Sequence, residues 1–259
     1  MKLHTFKPPV SITNYVSSIV VLQDDKLDND CMIPLIAKGM PSIVFQVTGS
    51  PAQNKNDNLV LYGQNLKPFE FYAAGHLTII AYFLHPHILS NLFGLSANEA
   101  TGLCIDLSLF NAAREINLKE QLLNAPSLHA RLDLMNNYIL QLSGNLHADI
   151  NSSILYAVNT IQHRNGLASL RGIQDELKIT ERTLQRLFDF HIGVSPKTFS
   201  KICQFNSAFQ QLESGQFSKL GDIAHQNGYA DQSHLIRIFK EFTNYSPAAY
   251  LKESAPFQD

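Results

Sequence analysis

Residues 173–199 read IQDELKITERTLQRLFDFHIGVSPKTF, and residues 221–253 read GDIAHQNGYADQSHLIRIFKEFTNYSPAAYLKE. The two stretches are versions of one pattern. Ile173, Ile179, Leu184, Arg186, Leu187, Phe188, Ser195, Pro196 and Phe199 in the first answer to Ile223, Tyr229, Leu235, Arg237, Ile238, Phe239, Ser246, Pro247 and Tyr250 in the second. The offset is 50 residues through the first helix and 51 beyond it, so the turn of the first copy is one residue shorter.

Each copy makes physical sense as a helix, a turn and a second helix. Ile173 and Leu177 in one copy, and Leu220, Ile223 and Ala224 in the other, turn an apolar face inward. In the second copy Gly228 supplies the positive φ that a sharp helix-to-helix turn needs. The following helix starts at a good N-cap, Thr180 in the first copy and Asp231 in the second. Leu184, Leu187 and Phe188, like Leu235, Ile238 and Phe239, recur at three- and four-residue spacing and face the core. The opposite face then presents Glu181, Arg182, Gln185 and Arg186 in one copy, and Gln232, Ser233, His234, Arg237 and Lys240 in the other.

Those exposed side chains suit DNA. Arginine pairs with guanine O6 and N7, glutamine with adenine, serine with either, and the major groove admits one α-helix. Arg182, Gln185, Arg186, Gln232, Ser233, His234 and Arg237 are the expected base contacts. Thr180, Lys197, Lys201 and Lys240 are the expected phosphate contacts. A connecting helix over Lys197–Leu212 would place the two reading helices in successive grooves, about 34 Å apart.

The stretch 221–253 resembles the signature of AraC/XylS-type transcription regulators, and 173–199 looks like that family's first helix-turn-helix. The Ile-Ala, Gly-Tyr, Asp-Gln-Ser, Arg-x-Phe-Lys and Ser-Pro elements occur in order over about Asn159–Glu253. The resemblance implies seven helices, with two helix-turn-helix units bridged by a long helix. It also implies a bacterial, cytoplasmic protein, nucleoid-associated when bound to double-stranded DNA, with RNA polymerase as a partner. Three positions depart from the pattern: Leu235 stands for a phenylalanine, Asn244 for a glycine before the second Ser-Pro, and Gln204 for a basic residue of the connecting helix.

The rest of the chain reads differently. Pro41–Gly49, Asn58–Tyr62 and Leu77–Leu84 are β-branched and aromatic, with glycine and proline between them, and read as strands. After Pro86 the pattern becomes helical, over Ile88–Phe93, Leu103–Leu123 and Leu128–Leu142. The fold class expected is α+β. A β-rich, sensor-like N-terminal domain with trailing helices spans 1–143, a polar linker 144–153, and an all-α domain of two helix-turn-helix units 154–255. "PSIVFQV", "YGQ" and "AAGHLTIIAYFLHPHIL" resemble more faintly the sensor domains of bacterial members. Phe45, Tyr62, Phe71 and Tyr82 are candidates to line an apolar pocket for a small-molecule effector. Leu128, Leu132, Met135 and Ile139 form one stripe, the candidate seam of a homodimer.

Composition bounds these readings. The chain has 259 residues, of which 45% are hydrophobic and 16% charged, as in a soluble globular protein. No apolar run is long enough to cross a membrane. Formal net charge is -2; residues 1–151 hold nine Lys/Arg against twelve Asp/Glu, and residues 152–259 eleven against ten. Placement rather than total charge therefore carries the case for DNA. Cys31, Cys104 and Cys203 are widely separated and read as reduced core thiols, not as zinc ligands. His85 and His87 flank a proline with no further ligand nearby, so no metal and no cofactor are expected. A second reading makes the N-terminal part a small-molecule-binding or catalytic domain, with the helical half as a partner-binding module. No nucleophile elbow, phosphate loop or dinucleotide fingerprint supports catalysis, and the chain is not read as an enzyme.

Overall fold

A computed structural model describes residues 1–253 apart from 26, 28–30, 36–38, 50–57, 74 and 145–150; the side chains of 31–35 and 69–72 lie outside that description. Among the described residues eight strands come first, with two α-helices before the last: β1 (Lys2–Phe6), β2 (Val16–Asp24), β3 (Cys31–Leu35), β4 (Ser42–Gly49), β5 (Asn58–Tyr62), β6 (Phe69–Ala73), β7 (His76–Leu84), α1 (Leu89–Phe93), α2 (Ala97–Ala100) and β8 (Cys104–Asp106). Six strands form one antiparallel sheet in the order β1-β2-β7-β4-β5-β8, and β3 pairs with β6 in a second sheet.

β4 lies inside the large sheet with both of its faces covered, which is why its sequence is almost continuously apolar. Ile43, Phe45 and Val47 point into a core completed by Tyr82 and Leu84 of β7 and by the helices that follow. Val44 points the other way, with Leu77, Ile79 and Ala81 of β7 and Ala73 of β6. Three helices trail the sheet: α3 (Asn111–Glu115), α4 (Leu118–Asn124) and α5 (Leu128–Gly144).

Two expectations are corrected here. Leu103–Leu123 is not one helix but β8, a 3-10 turn at Leu107–Leu109, α3 and α4. Asp106 caps the 3-10 turn by accepting from the Ser108 N–H at 2.8 Å, and Asn117 adopts a left-handed φ of 48° between α3 and α4. The stripe on α5 is spent inside the chain. Met135 and Ile139 are fully buried against the sheet, with Leu128 and Leu132 packed beside them, so it offers no free seam to a second copy.

The helical half comprises α6 (Ser152–His163), α7 (Leu170–Leu177), α8 (Glu181–Ile192), α9 (Pro196–Glu213), α10 (Leu220–Gln226), α11 (Gln232–Thr243) and α12 (Pro247–Glu253). These are the seven helices that the family resemblance implies. The central element is α9, longer at each end than the Lys197–Leu212 read from sequence. Its buried stripe, Phe199, Ile202, Phe205, Ala208, Phe209 and Leu212, serves both repeats. The Phe205 ring lies 4.7 Å from Phe242, 5.6 Å from Phe209 and 5.7 Å from Phe239 between centroids.

Candidate nucleic-acid interface

The second helix of each repeat, α8 and α11, is started by the side chain expected of it. Thr180 Oγ1 accepts from the Thr183 N–H at 3.2 Å, and Asp231 Oδ1 accepts from the His234 N–H at 2.7 Å. Such caps satisfy backbone donors that a helix start leaves open. Ser195 and Ser246 cap α9 and α12 in the same way, each followed by a proline, which fits the first helical position.

Burial then sorts the two faces. Leu184 and Phe188 of α8, and Leu235, Ile238 and Phe239 of α11, lie in one core. Leu187 is half-buried beside them. On the opposite face Arg182, Gln185, Arg186, Gln232, Ser233 and Arg237 are all exposed. Among the described residues none of the three arginines makes an ion pair. Their guanidinium groups are therefore free to meet a base edge or a phosphate. His234 is half-buried, its ring edge-on to Tyr229 at 5.4 Å, so part of its surface is already engaged.

The first helix-turn-helix also has a concave outer surface. Thr180, Arg182, Gln185, Arg186 and Ser195 line an open groove of about 780 Å³. A neighbouring groove of about 740 Å³ runs between α7, α8 and the start of α9, past Arg171, Gln174 and Lys197. Arg171 and Gln174 were not singled out from sequence. Their three-residue spacing on the polar side of α7 was the signal available.

The phosphate candidates fare unequally. Lys197 and Lys240 are exposed. Thr180 is occupied as a cap. Lys201 Nζ bonds both carboxylate oxygens of Glu241, at 2.7 and 2.8 Å, and lies 5.7 Å from the Phe242 ring. It clamps α9 to α11 and is not a free cation. Gln204, in a slot usually basic, donates from Nε2 to the Asn227 carbonyl at 2.8 Å. Asn227 is itself buried and donates to Gln211 Oε1 and the Ile223 carbonyl. A polar bridge thus fixes the second turn to α9. At Gly228 (φ 71°) an added Cβ would stand 2.6 Å from the Leu167 side chain, so this turn needs glycine for both its conformation and its close approach.

The effector candidates do not converge. Phe45 and Tyr82 face the helix-covered core, where Tyr82 Oη lies 2.9 Å from Asn136 Oδ1 and 3.1 Å from the Leu132 carbonyl. Tyr82 is a tie between β7 and α5. Tyr62 packs on the opposite sheet face, where burial raises its phenol pKa, with Cys104 adding to the effect. The Phe71 side chain lies outside the described residues. Buried polar side chains of β4, Ser42, Gln46 and Thr48, alternate with its helix-facing residues and so fall on Tyr62's face; no sequence signal had marked them. Cys104 is exposed rather than a core thiol, and burial pushes Cys203 up to about 12. Among the described residues no group of three or more His, Cys, Asp and Glu side chains has the arrangement of a metal site. No helix among them is long and apolar enough to cross a membrane.

Two capped helices, each presented by a shorter helix and both packed on one central helix, define a double helix-turn-helix protein. Known proteins bear this out. Residues 173–253 match a family described as a helix-turn-helix domain, and residues 4–106 match a domain of unknown function, DUF6597. An uncharacterized HTH-type transcriptional regulator of Haemophilus influenzae is 37% identical over 67 residues, 26% of this chain. The match spans 22% of that relative's own length. ToxT from Vibrio cholerae superposes over 97% of this chain and 98% of its own, with a TM-score of 0.50 and 12% identity. ToxT bound to (E)-4-(8-methylnaphthalen-1-yl)but-3-enoic acid gives a TM-score of 0.52 at 12% identity, covering 97% of this chain and 99% of that one. Residues 173–253 are thus similar to the helix-turn-helix domains of known proteins, in keeping with the AraC/XylS-type resemblance of their sequence.

Proposed function

We propose that the protein is a sequence-specific, DNA-binding regulator of transcription. In this reading α8 and α11 enter successive major grooves on one face of a duplex. Arg182, Gln185 and Arg186 read one half-site, and Gln232, Ser233, His234 and Arg237 read the next. Lys197, Lys240 and Arg171 settle the protein on phosphates. The observation that carries this is the pair Arg186 and Arg237. They hold the same slot in two separately capped helices, both exposed and, among the described residues, both without an ion-pair partner. The weakly basic helical half implies modest non-specific binding and a shallow dependence on salt.

Residues 154–255 form the DNA-binding domain in this reading, 144–153 the linker and 1–143 a regulatory domain. The regulatory domain senses a small molecule. The supporting feature is the face of β4 that sets Ser42, Gln46 and Thr48 into an apolar wall, a few placed polar groups in a mostly apolar surround being the usual make-up of a ligand site. The acid held by ToxT in its solved complex supplies a first probe. The protein acts in the cytoplasm, at the nucleoid when bound, with RNA polymerase as its downstream partner.

Selection from a random pool of duplex DNA with the purified full chain at low salt tests the reading. Enrichment of a two-part motif is expected, and a pool that stays random contradicts it.

A further inference from the structure

The two reading helices end alike in sequence and differently in space. α8 closes on Gly193 (φ 84°) and α11 on Asn244 (φ 64°), both left-handed and both two residues before a Ser-Pro. Asparagine is the usual substitute for glycine in such a cap. Asn244 is exposed. At Gly193, by contrast, an added Cβ would stand 2.1 Å from Thr101 Oγ1 and 2.6 Å from the Ala97 carbonyl oxygen. The first cap needs glycine for a second reason: the N-terminal half of the chain lies on it.

That contact has polar fastenings. The Thr101 hydroxyl, just after α2, lies 2.8 Å from the Ala97 carbonyl and 3.2 Å from the Gly193 carbonyl. Asn98 Nδ2 donates to Asp189 Oδ2 at 3.2 Å. Ser90 of α1 lies 3.4 Å from His191 Nδ1. α8 packs more extensively on α2 than on any helix of its own half, whereas the helices packed closely on α11 are α9, α10 and α12. Arg182, Gln185 and Arg186, nearer the other end of α8, stay exposed while its last turn is held. The contact thus leaves the reading side chains free and fixes the angle of the helix that carries them.

We propose that Asn98 and Thr101 are positioning residues for the first reading helix, so that reading of the first half-site depends on the N-terminal domain and reading of the second does not. This rests on the proposed DNA reading. It makes the α1–α2 pair the place where an event in the N-terminal domain reaches DNA, through one half-site only.

Gly193→Asn in the full chain tests it, because asparagine keeps the left-handed cap, as at position 244, but must push α2 away. Asn244→Gly is the control, and Thr101→Val removes the hydroxyl while keeping the shape. The readouts are hydrogen exchange in α2 and α8, and affinity for duplexes in which one half of the selected site is scrambled. Gly193→Asn should speed exchange in α2 and weaken binding to the first half-site about tenfold, a usual size for coupling between domains. Binding to the second half-site should stay within about twofold. Thr101→Val should act in the same direction, more weakly, and Asn244→Gly should change neither. Equal losses at both half-sites, an unchanged first half-site, or tighter binding there overturns the proposal. A wild-type chain that selects no DNA overturns the DNA reading itself, which separates the two failures.

Discussion

The two helix-turn-helix units share a pattern but not a means of support. The second is fastened within its own half, by the Gln204–Asn227–Gln211 bridge and by the Lys201–Glu241 ion pair. The first takes its turn from Lys178 in a left-handed conformation (φ 53°) and has its far end held by α1 and α2 of the N-terminal half. The repeated sequence pattern thus keeps the same core positions and the same exposed polar face while the supports diverge. In the proposed reading the second unit is steadied chiefly within its own half, and the first is also held by α1 and α2 of the N-terminal half.

The largest effect on both units should come from removing what they share. Phe205 is fully buried in the one core cluster to which both units contribute, its ring against Phe239 and Phe242 of the second. Phe205→Ala should cost about 3–5 kcal/mol, the usual range for emptying a buried aromatic site. Chemical unfolding should show both units lost together; survival of either alone would contradict a common core.

Acid should act first on the unit that α1 and α2 hold. His87 is buried beside His85 and His191, and its pKa falls from the ordinary 6.5 to about 4, chiefly because burial opposes its charge and secondarily because of those two histidines. The unfolded chain therefore binds the extra proton more readily than the folded one. Stability from this group is full above about pH 6.5 and is lost as pH falls toward about 4, by up to about 3 kcal/mol. Replacing His87 by Gln should flatten the dependence of the unfolding midpoint on pH across that window. An unaltered slope would show that His87 is not the group responsible.

Removing a reading arginine probes each unit separately. Arg237→Ala, or Arg186→Ala, should lose about 1–3 kcal/mol on the selected site and relax the base preference at one position. Unchanged affinity removes that residue from the reading set. The smallest effect belongs to the clamp of the second unit. Lys201→Gln should cost less than about 1 kcal/mol of stability, since both partners of the pair are partly exposed. It should leave DNA affinity nearly unchanged, which distinguishes a clamp from a phosphate contact.

How far the sequence reaches follows from the range of each interaction. The stripes of α8 and α11, their caps and their exposed arginines are local, and spacing alone reveals them. Leu103–Leu123 misleads because its apolar spacing outlasts the backbone's ability to continue past Asp106 and Asn117. Phe45 and Tyr62 look alike in sequence, yet they sit on opposite faces of a sheet covered on both sides, where alternation gives no sign of which face is which. The stripe through Met135 and Ile139 is real, but nothing local says whether it meets its own sheet or a second copy. The fastening of Asn98 to Asp189 joins residues 91 positions apart and leaves no periodic trace.

In the proposed reading one chain enters two adjacent grooves with two different helices. Guanine-methylation protection on the selected site, with wild type, Arg186→Ala and Arg237→Ala, tests it most directly. Two protected patches about one helical turn apart on the same face are expected, about 10–10.5 base pairs centre to centre. Each variant should erase one patch and leave the other. A single patch, or one patch erased by both variants, would contradict the account.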